Sequence, residues 1–150
     1  MSSFGFWQKW LVGFGLYVVA FGLSFAVFGQ SRLMDIVFNN QIDPAFWGVA
    51  EPTATAREFQ AFVYGVLGAT MAGWGVFIAF IAHYAFKAKE PWAWNCIATG
   101  MIVWFVVDQF VSLRYGVGFN VALNTAFLLF VTLPLVFTRR SFVVKTAGIA

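Results

Sequence analysis

The chain has 150 residues, of which 61% are hydrophobic and only 10% charged, against about 25% charged in an ordinary soluble domain. With a mean hydropathy of +0.81 it has more apolar side chains than a water-soluble fold can hide, so lipid is their expected solvent. The net charge of +3 is not gathered on a Lys/Arg face, which argues against nucleic acid; the single Cys96 excludes an internal disulfide or CxxC chemistry, and the single His83 excludes a bis-histidine haem within one subunit.

In chain order, the first apolar stretch is uncharged from Trp10 to Phe28. Ser24-Phe25-Ala26 loosely fits a small-x-small cleavage site, but the run exceeds a usual signal core and is read as a retained helix. A long connection follows, from Gln30 to Arg57. Asp43-Pro44 fits an N-cap with proline at the first helical position, and Leu33, Ile36 and Val37 give residues 32–38 an apolar side. Two readings stand for this connection: a short amphipathic helical piece on the outer membrane surface or over the bundle mouth, or an irregular surface loop. Thr55-Ala-Arg-Glu58 has the form of a capping box opening the second span.

The second stretch is uncharged from Ala61 to Ala82, the third runs from Trp92 to Leu113 with only Asp108 in it, and the fourth is uncharged from Val117 to Phe137. A helix rises ~1.5 Å per residue and needs ~20 residues to cross the hydrocarbon core, so each stretch suffices. The expected fold is all-α, a single domain of four transmembrane helices over about 7–29, 57–86, 92–113 and 117–138, with an outer loop at 30–56. The short turns at 87–91 and 114–116 make helices 2–3 and 3–4 antiparallel neighbours. Basic residues set orientation. Lys9, Lys87, Lys89, Arg139, Arg140 and Lys145 share one side, and Arg32, Arg57 and Arg114 the other, which places both termini in the cytoplasm. Trp7, Trp10, Trp92 and Trp94 would form the inner aromatic belt.

The second span carries Ala61, Gly65, Ala69 and Gly73 at four-residue steps, with Gly68, Ala72, Gly75, Ala79 and Ala82 in a row alongside. Such rows let backbones approach closely inside lipid. They serve either packing within the bundle, with Gly22, Ala26 and Gly29 as the facing groove, or a homo-oligomeric or partner-subunit interface.

Asp108 is the only carboxylate inside a span, about 9 Å below Arg114 in the outer leaflet region. The same topology gathers Arg57, Gln60 and Tyr64 of the second span and Asn120 and Asn124 of the fourth near it. The inner half has no matching polar set. That one-sided polarity suits an outward-facing pocket above an apolar plug and disfavours a continuous solute path. Asp108 is then either structural, paired with Arg32, Arg57 or Arg114 or kept protonated, or functional. In the functional reading Asp108, Tyr64, Asn120 and Asn124 line a site for a lipid-like ligand, with Arg57, Arg114 and Gln60 as further candidates. Trp74 and Trp104, near mid-helix, would suit a flat apolar ligand such as an isoprenoid, quinone or pigment, against the default of simple packing. No metal site and no obligatory cofactor are expected.

Three blocks, Tyr64-Gly-Val-Leu-Gly-Ala-Thr-Met-Ala-Gly-Trp-Gly75, Pro91-Trp-Ala-Trp-Asn-Cys96 and Leu133-Pro-Leu-Val-Phe-Thr-Arg-Arg140, resemble small four-helix bacterial inner-membrane proteins over residues 59–140. The resemblance implies that fold and membrane, and no activity. A looser likeness is to the sterol-isomerase and sigma-2-receptor superfamily, but the carboxylate and histidine set of those enzymes is missing here. The sequence thus favours a non-enzymatic membrane protein that binds a lipidic ligand or a partner membrane subunit. The alternative is an outer-leaflet lipid- or isoprenoid-modifying enzyme with Asp108 as acid/base, and a small transporter subunit comes third.

Overall fold

The computed structural model describes residues 3–48 and 51–143; Lys145, counted above for orientation, lies outside them. The long uncharged stretches form α1 (Ser3–Phe28), α4 (Ala54–Ile81), α5 (Pro91–Arg114) and α6 (Gly118–Thr138). Between α1 and α4 come α2 (Arg32–Met34), a π-helical turn (Asp35–Asn39) and α3 (Asn40–Trp47); a second π turn (Ala82–Phe86) extends α4, and a short α7 (Arg140–Val143) follows α6. No strand occurs among the described residues, and four helices are long and apolar enough to cross a membrane.

The connection at 30–56 is therefore largely helical, with a different punctuation from that expected. Asp43 does not cap a helix: α3 begins at Asn40 and carries Pro44 in its interior. A π turn directly precedes it, in which Asn39 Nδ2 ties back to Asp35 Oδ1 at 2.7 Å. Gly48, at φ +62°, ends α3 in the left-handed region that glycine tolerates. Thr53, two residues before the expected cap, caps α4 by accepting from the Ala56 N–H at 3.2 Å. The start thus moves forward by one Thr-x step, because Thr53 and Thr55 offer the same capping chemistry.

The α1–α4 pair is the tightest in the molecule. A Cβ built on Gly22 would lie 2.5 Å from the Gly68 carbonyl oxygen, and one on Gly75 would lie 2.7 Å from that of Gly15. The backbones touch there because neither helix has a side chain between them. The row that carries this approach is Gly68, Ala72, Gly75 and Ala79. The neighbouring row, Ala61, Gly65, Ala69 and Gly73, turns away from α1, and added Cβ atoms on Gly65 or Gly73 meet nothing within 4 Å.

The second pair is α5–α6, joined to the first through α1 and α6. Contrary to the adjacency expected from the short 87–91 turn, α4 and α5 stay apart along their lengths. They meet at the turn end, where the Ala82–Phe86 segment packs on α5, and the Trp74 and Trp104 rings bridge the gap higher up with centroids 5.6 Å apart. The bundle is two helix pairs closed on one side and opened on the other.

The end holding both termini is solid. Leu11, Phe86, Ala93, Ile97, Met101 and Val131 are almost wholly buried there. Polar backbone groups freed by irregularities are met by side chains. Pro134 has no N–H to give to Phe130 O, and that carbonyl accepts from the Trp10 indole at 2.9 Å. Buried Gln8 donates to Ala82 O at the start of the second π turn, and Trp94 donates to Leu135 O while Arg139 covers its ring at 4.5 Å.

Candidate functional site

Splayed helices leave space between them, and here it is a cavity of about 710 Å³ in the half of the bundle away from the termini. Its walls come from α1 (Phe14, Val18, Phe21, Phe25), α4, α5 and α6, and α3 with its π turn closes the end through Phe38, Ile42 and Phe46. The lining is overwhelmingly apolar and aromatic. Trp74 and Trp104 both border it. The buried core at the termini end forms the floor.

The gap between α4 and α5 is the side opening. Leu67 and Thr70 on α4, and Gly100 and Val103 on α5, line the cavity and are also exposed on the outside of the bundle. A residue that belongs to both surfaces marks a rim. On helices surrounded by exposed Phe62, Phe77, Val106 and Phe110, that rim faces the apolar exterior of the molecule.

One polar group stands in the cavity wall with its own supports. Asp108 and Ser112 lie one turn apart on α5, Asn120 and Asn124 one turn apart on α6, so the two pairs face across the antiparallel helices. Asp108 Oδ1 accepts from Asn124 Nδ2 at 2.7 Å, Asn120 Nδ2 at 2.8 Å and Ser112 Oγ at 3.0 Å. Asn120 also donates to Ser112 Oγ at 2.7 Å. Among the described residues no hydrogen bond reaches Asp108 Oδ2 and no ion pair reaches the residue. Pairing with Arg32, Arg57 or Arg114, one of the alternatives open from sequence, does not occur; three neutral donors stand there instead. The reason is reach: Asp108 is fixed to α6, whereas Arg57 is held on the cover.

Arg57, Gln60 and Tyr64 form a second, separate cluster. Arg57 Nη1 pairs with Asp43 at 3.0 Å and lies 3.8 Å from Asp35, Nη2 lies 3.9 Å from Glu51, and Nη1 donates to Gln60 Oε1 at 3.1 Å. Gln60 donates to Asp43 at 2.9 Å, and the buried Tyr64 hydroxyl donates to Asn39 Oδ1 at 2.8 Å. Together these bonds tie the cover to the start of α4. Tyr64 also borders the cavity; Arg57, Gln60 and the exposed Arg114 do not.

The seven site candidates from sequence thus divide. Asp108, Asn120, Asn124 and Tyr64 line one cavity, Arg57 and Gln60 fasten its cover, and Arg114 stands outside. Ser112 and Asn39 were absent from the sequence reading. Ser112 was detectable as the residue one turn after Asp108, whereas Asn39 sits 25 residues from its partner with no local signal. No protein-family model, curated protein or solved structure matches this chain, so the likeness of residues 59–140 rests on the three sequence blocks alone.

Proposed function

We propose that this is an integral membrane protein whose four long helices cross a bacterial inner membrane with both termini in the cytoplasm, and that it binds a lipidic ligand in the cavity between α4, α5 and α6. The observation that carries the reading is the cavity: about 710 Å³, apolar and aromatic, with one supported carboxylate in its wall and a rim on the outside of the bundle. Sites for small ligands fall at about 300–1,000 Å³ and combine an apolar lining with a few placed polar groups. A rim that faces acyl chains lets an apolar ligand enter without crossing water.

An acid/base role for Asp108 is the second reading, favoured by its free Oδ2. Catalysis on a lipid ordinarily needs a second titratable or electrophilic group beside the first. Asp108 is the only Asp, Glu, Lys, Arg, His or Cys among the described lining residues, the Tyr64 hydroxyl is given to Asn39, and the other lining phenol, Tyr115, is an exposed residue at the end of α5. Binding is therefore preferred to turnover. The outward row Ala61, Gly65, Ala69 and Gly73 remains the surface through which a second copy or a partner subunit would join the bundle.

A membrane lipid carrying a photoreactive diazirine in mid-chain tests the site. Its cross-links should concentrate on cavity residues such as Met71, Met101 and Leu123. Cross-links spread evenly over the outward Phe62, Phe77 and Phe110 would mean ordinary lipid contact and no site. Orientation has its own check, in a Cys96→Ala background. A membrane-impermeant maleimide applied to intact bacterial cells from which any outer barrier has been removed should label Glu51→Cys and spare Lys87→Cys. The inverse pattern would reverse the topology.

A further inference from the structure

We infer that the cavity takes an amphiphile with a single chain or ring body whose polar end donates a hydrogen bond and carries no negative charge, a hydroxyl or an ammonium seated on Asp108 Oδ2. The inference rests on reading the cavity as a lipidic-ligand site and adds the chemistry of the ligand's head.

The hydrogen bonds at Asp108 all run in one direction. Three donors, Asn124, Asn120 and Ser112, all converge on Asp108 Oδ1 at 2.7–3.0 Å, which uses the lone pairs of that oxygen. Oδ2 receives no hydrogen bond among the described residues, and Asp108 is only partly buried in the cavity wall. Both N–H groups of Asn120 are given, to Asp108 and Ser112, and the buried Asn124 gives one of its two to Asp108, so beside Asp108 the group left open to a ligand is the acceptor Oδ2. A complementary head must donate.

Charge selects the same kind of head. Among the described lining residues there is no Lys, Arg or His, and Asp108 is the sole acidic one. Arg57, on the helix that forms one wall, does not line the cavity and is engaged by Asp43 at 3.0 Å. A phosphate or carboxylate head placed at Asp108 would bring a second acid against the first in an apolar wall with no cation to offset its charge. Fatty acids, prenyl phosphates and the headgroups of anionic phospholipids are disfavoured on the same ground.

Space limits the body of the ligand. A volume of about 710 Å³ lined by Phe and Trp rings suits one chain or a fused-ring body. Opposite ends of the cavity also differ in polarity. Asp108 and Ser112 lie beyond Trp104 along α5, towards the cover, while Trp74, Met101 and Phe127 surround the deeper part. A ligand entering between α4 and α5 would therefore lay its body towards the floor and its head towards Asp108.

The test uses the full chain in phosphatidylcholine nanodiscs at neutral pH, with four brominated probes of equal chain length: hexadecanol, hexadecylamine, hexadecanoate and hexadecyl phosphate. Bromine in the chain quenches Trp74 and Trp104, and a Gly100→Leu protein supplies the background from the other tryptophans. Gly100 lies on the rim, and a Cβ added there meets nothing within 4 Å, so the larger side chain narrows the cavity without disturbing the polar cluster. The alcohol, the amine or both should bind at least about tenfold tighter than either anion. Preference for the amine would assign the head as a cation paired with Asp108, and preference for the alcohol would assign it as a neutral donor. Asp108→Asn should bring the preferred probe to within about threefold of the anions. Should that variant not fold, the ranking in the unmodified protein decides by itself. Anionic probes that bind as well as the alcohol and the amine would overturn the head assignment and leave the cavity reading standing. Quenching by every probe indistinguishable from that in Gly100→Leu would overturn both.

Discussion

Replacing Gly22 by leucine should destabilise the protein by about 3 kcal/mol or more, the upper end of the usual range for overpacking. The reason is that nothing near Gly22 can yield. A single Cβ there would stand 2.5 Å from the Gly68 carbonyl oxygen and 2.7 Å from the Ala72 backbone nitrogen, and both are main-chain atoms of a regular helix. Relief requires α1 and α4 to separate, which removes the dispersion contacts of the tightest pair in the bundle. Gly65→Ala and Gly73→Ala are the matched controls. They add a single carbon on the partner helix α4, at positions where it meets nothing within 4 Å, and they should be neutral or stabilising by up to about 1 kcal/mol through helix propensity. Unfolding in mixed micelles, titrated with a denaturing detergent, measures all three. Equal losses at Gly22 and Gly65 would mean that the second face of α4 is packed in the membrane, against another copy or a partner.

Asp108→Ala should be the next most costly change, at about 2–4 kcal/mol. Interhelical hydrogen bonds in a bilayer average only about 0.6 kcal/mol each, so the loss of three attractive bonds explains the smaller part. The larger part comes from Asn120, Asn124 and Ser112, which would keep their donors in a wall that offers no other acceptor of comparable strength. Asn124 is 4% exposed and Ser112 likewise, so water does not readily replace the carboxylate. Asn124→Leu together with Asp108→Leu should recover part of the loss, because both halves of the polar pair then leave. The same unfolding titration decides. A cost below about 0.5 kcal/mol for Asp108→Ala would show that the cluster does not hold α5 to α6.

The long helices were legible in the sequence for a simple reason: a run such as Trp10–Phe28 or Ala61–Ala82 has no charge, and length and hydropathy alone bound it. Details decided by tertiary contact were less so. Two small-residue rows run side by side on α4, and periodicity alone does not say which meets α1, because glycine and alanine are equally acceptable against lipid. The choice of Gly68 and Gly75 is made by Gly22 and Gly15 across the interface. The separation of α4 from α5 was likewise hidden, since a short turn brings two helices together at one end and says nothing about the other. Asp43 illustrates a third limit. Beside Pro44 it has the local form of a cap, yet its carboxylate is used by Arg57 and Gln60, the latter 17 residues away.

The candidate site divides in the same way. Asp108, Asn120 and Asn124 were readable because an intramembrane carboxylate is costly and must find donors at its own depth, and an i,i+4 asparagine pair on the next helix is where they lie. Arg57 was drawn into the same group by depth alone. It differs because opposite charges on the cover, Asp43 and Asp35, reach it first.

We propose that the cavity between the separated helices holds a lipidic molecule. Native mass spectrometry of the protein released from nanodiscs formed directly from its source membrane tests this most directly, with chemical identification of whatever is bound. The expected result is a defined apolar molecule with one polar end, bound at one per chain and lost in Gly100→Leu. Release of a bare chain, or of a chain with a stoichiometric second protein and no small molecule, would contradict it and move the function to the outward face of α4.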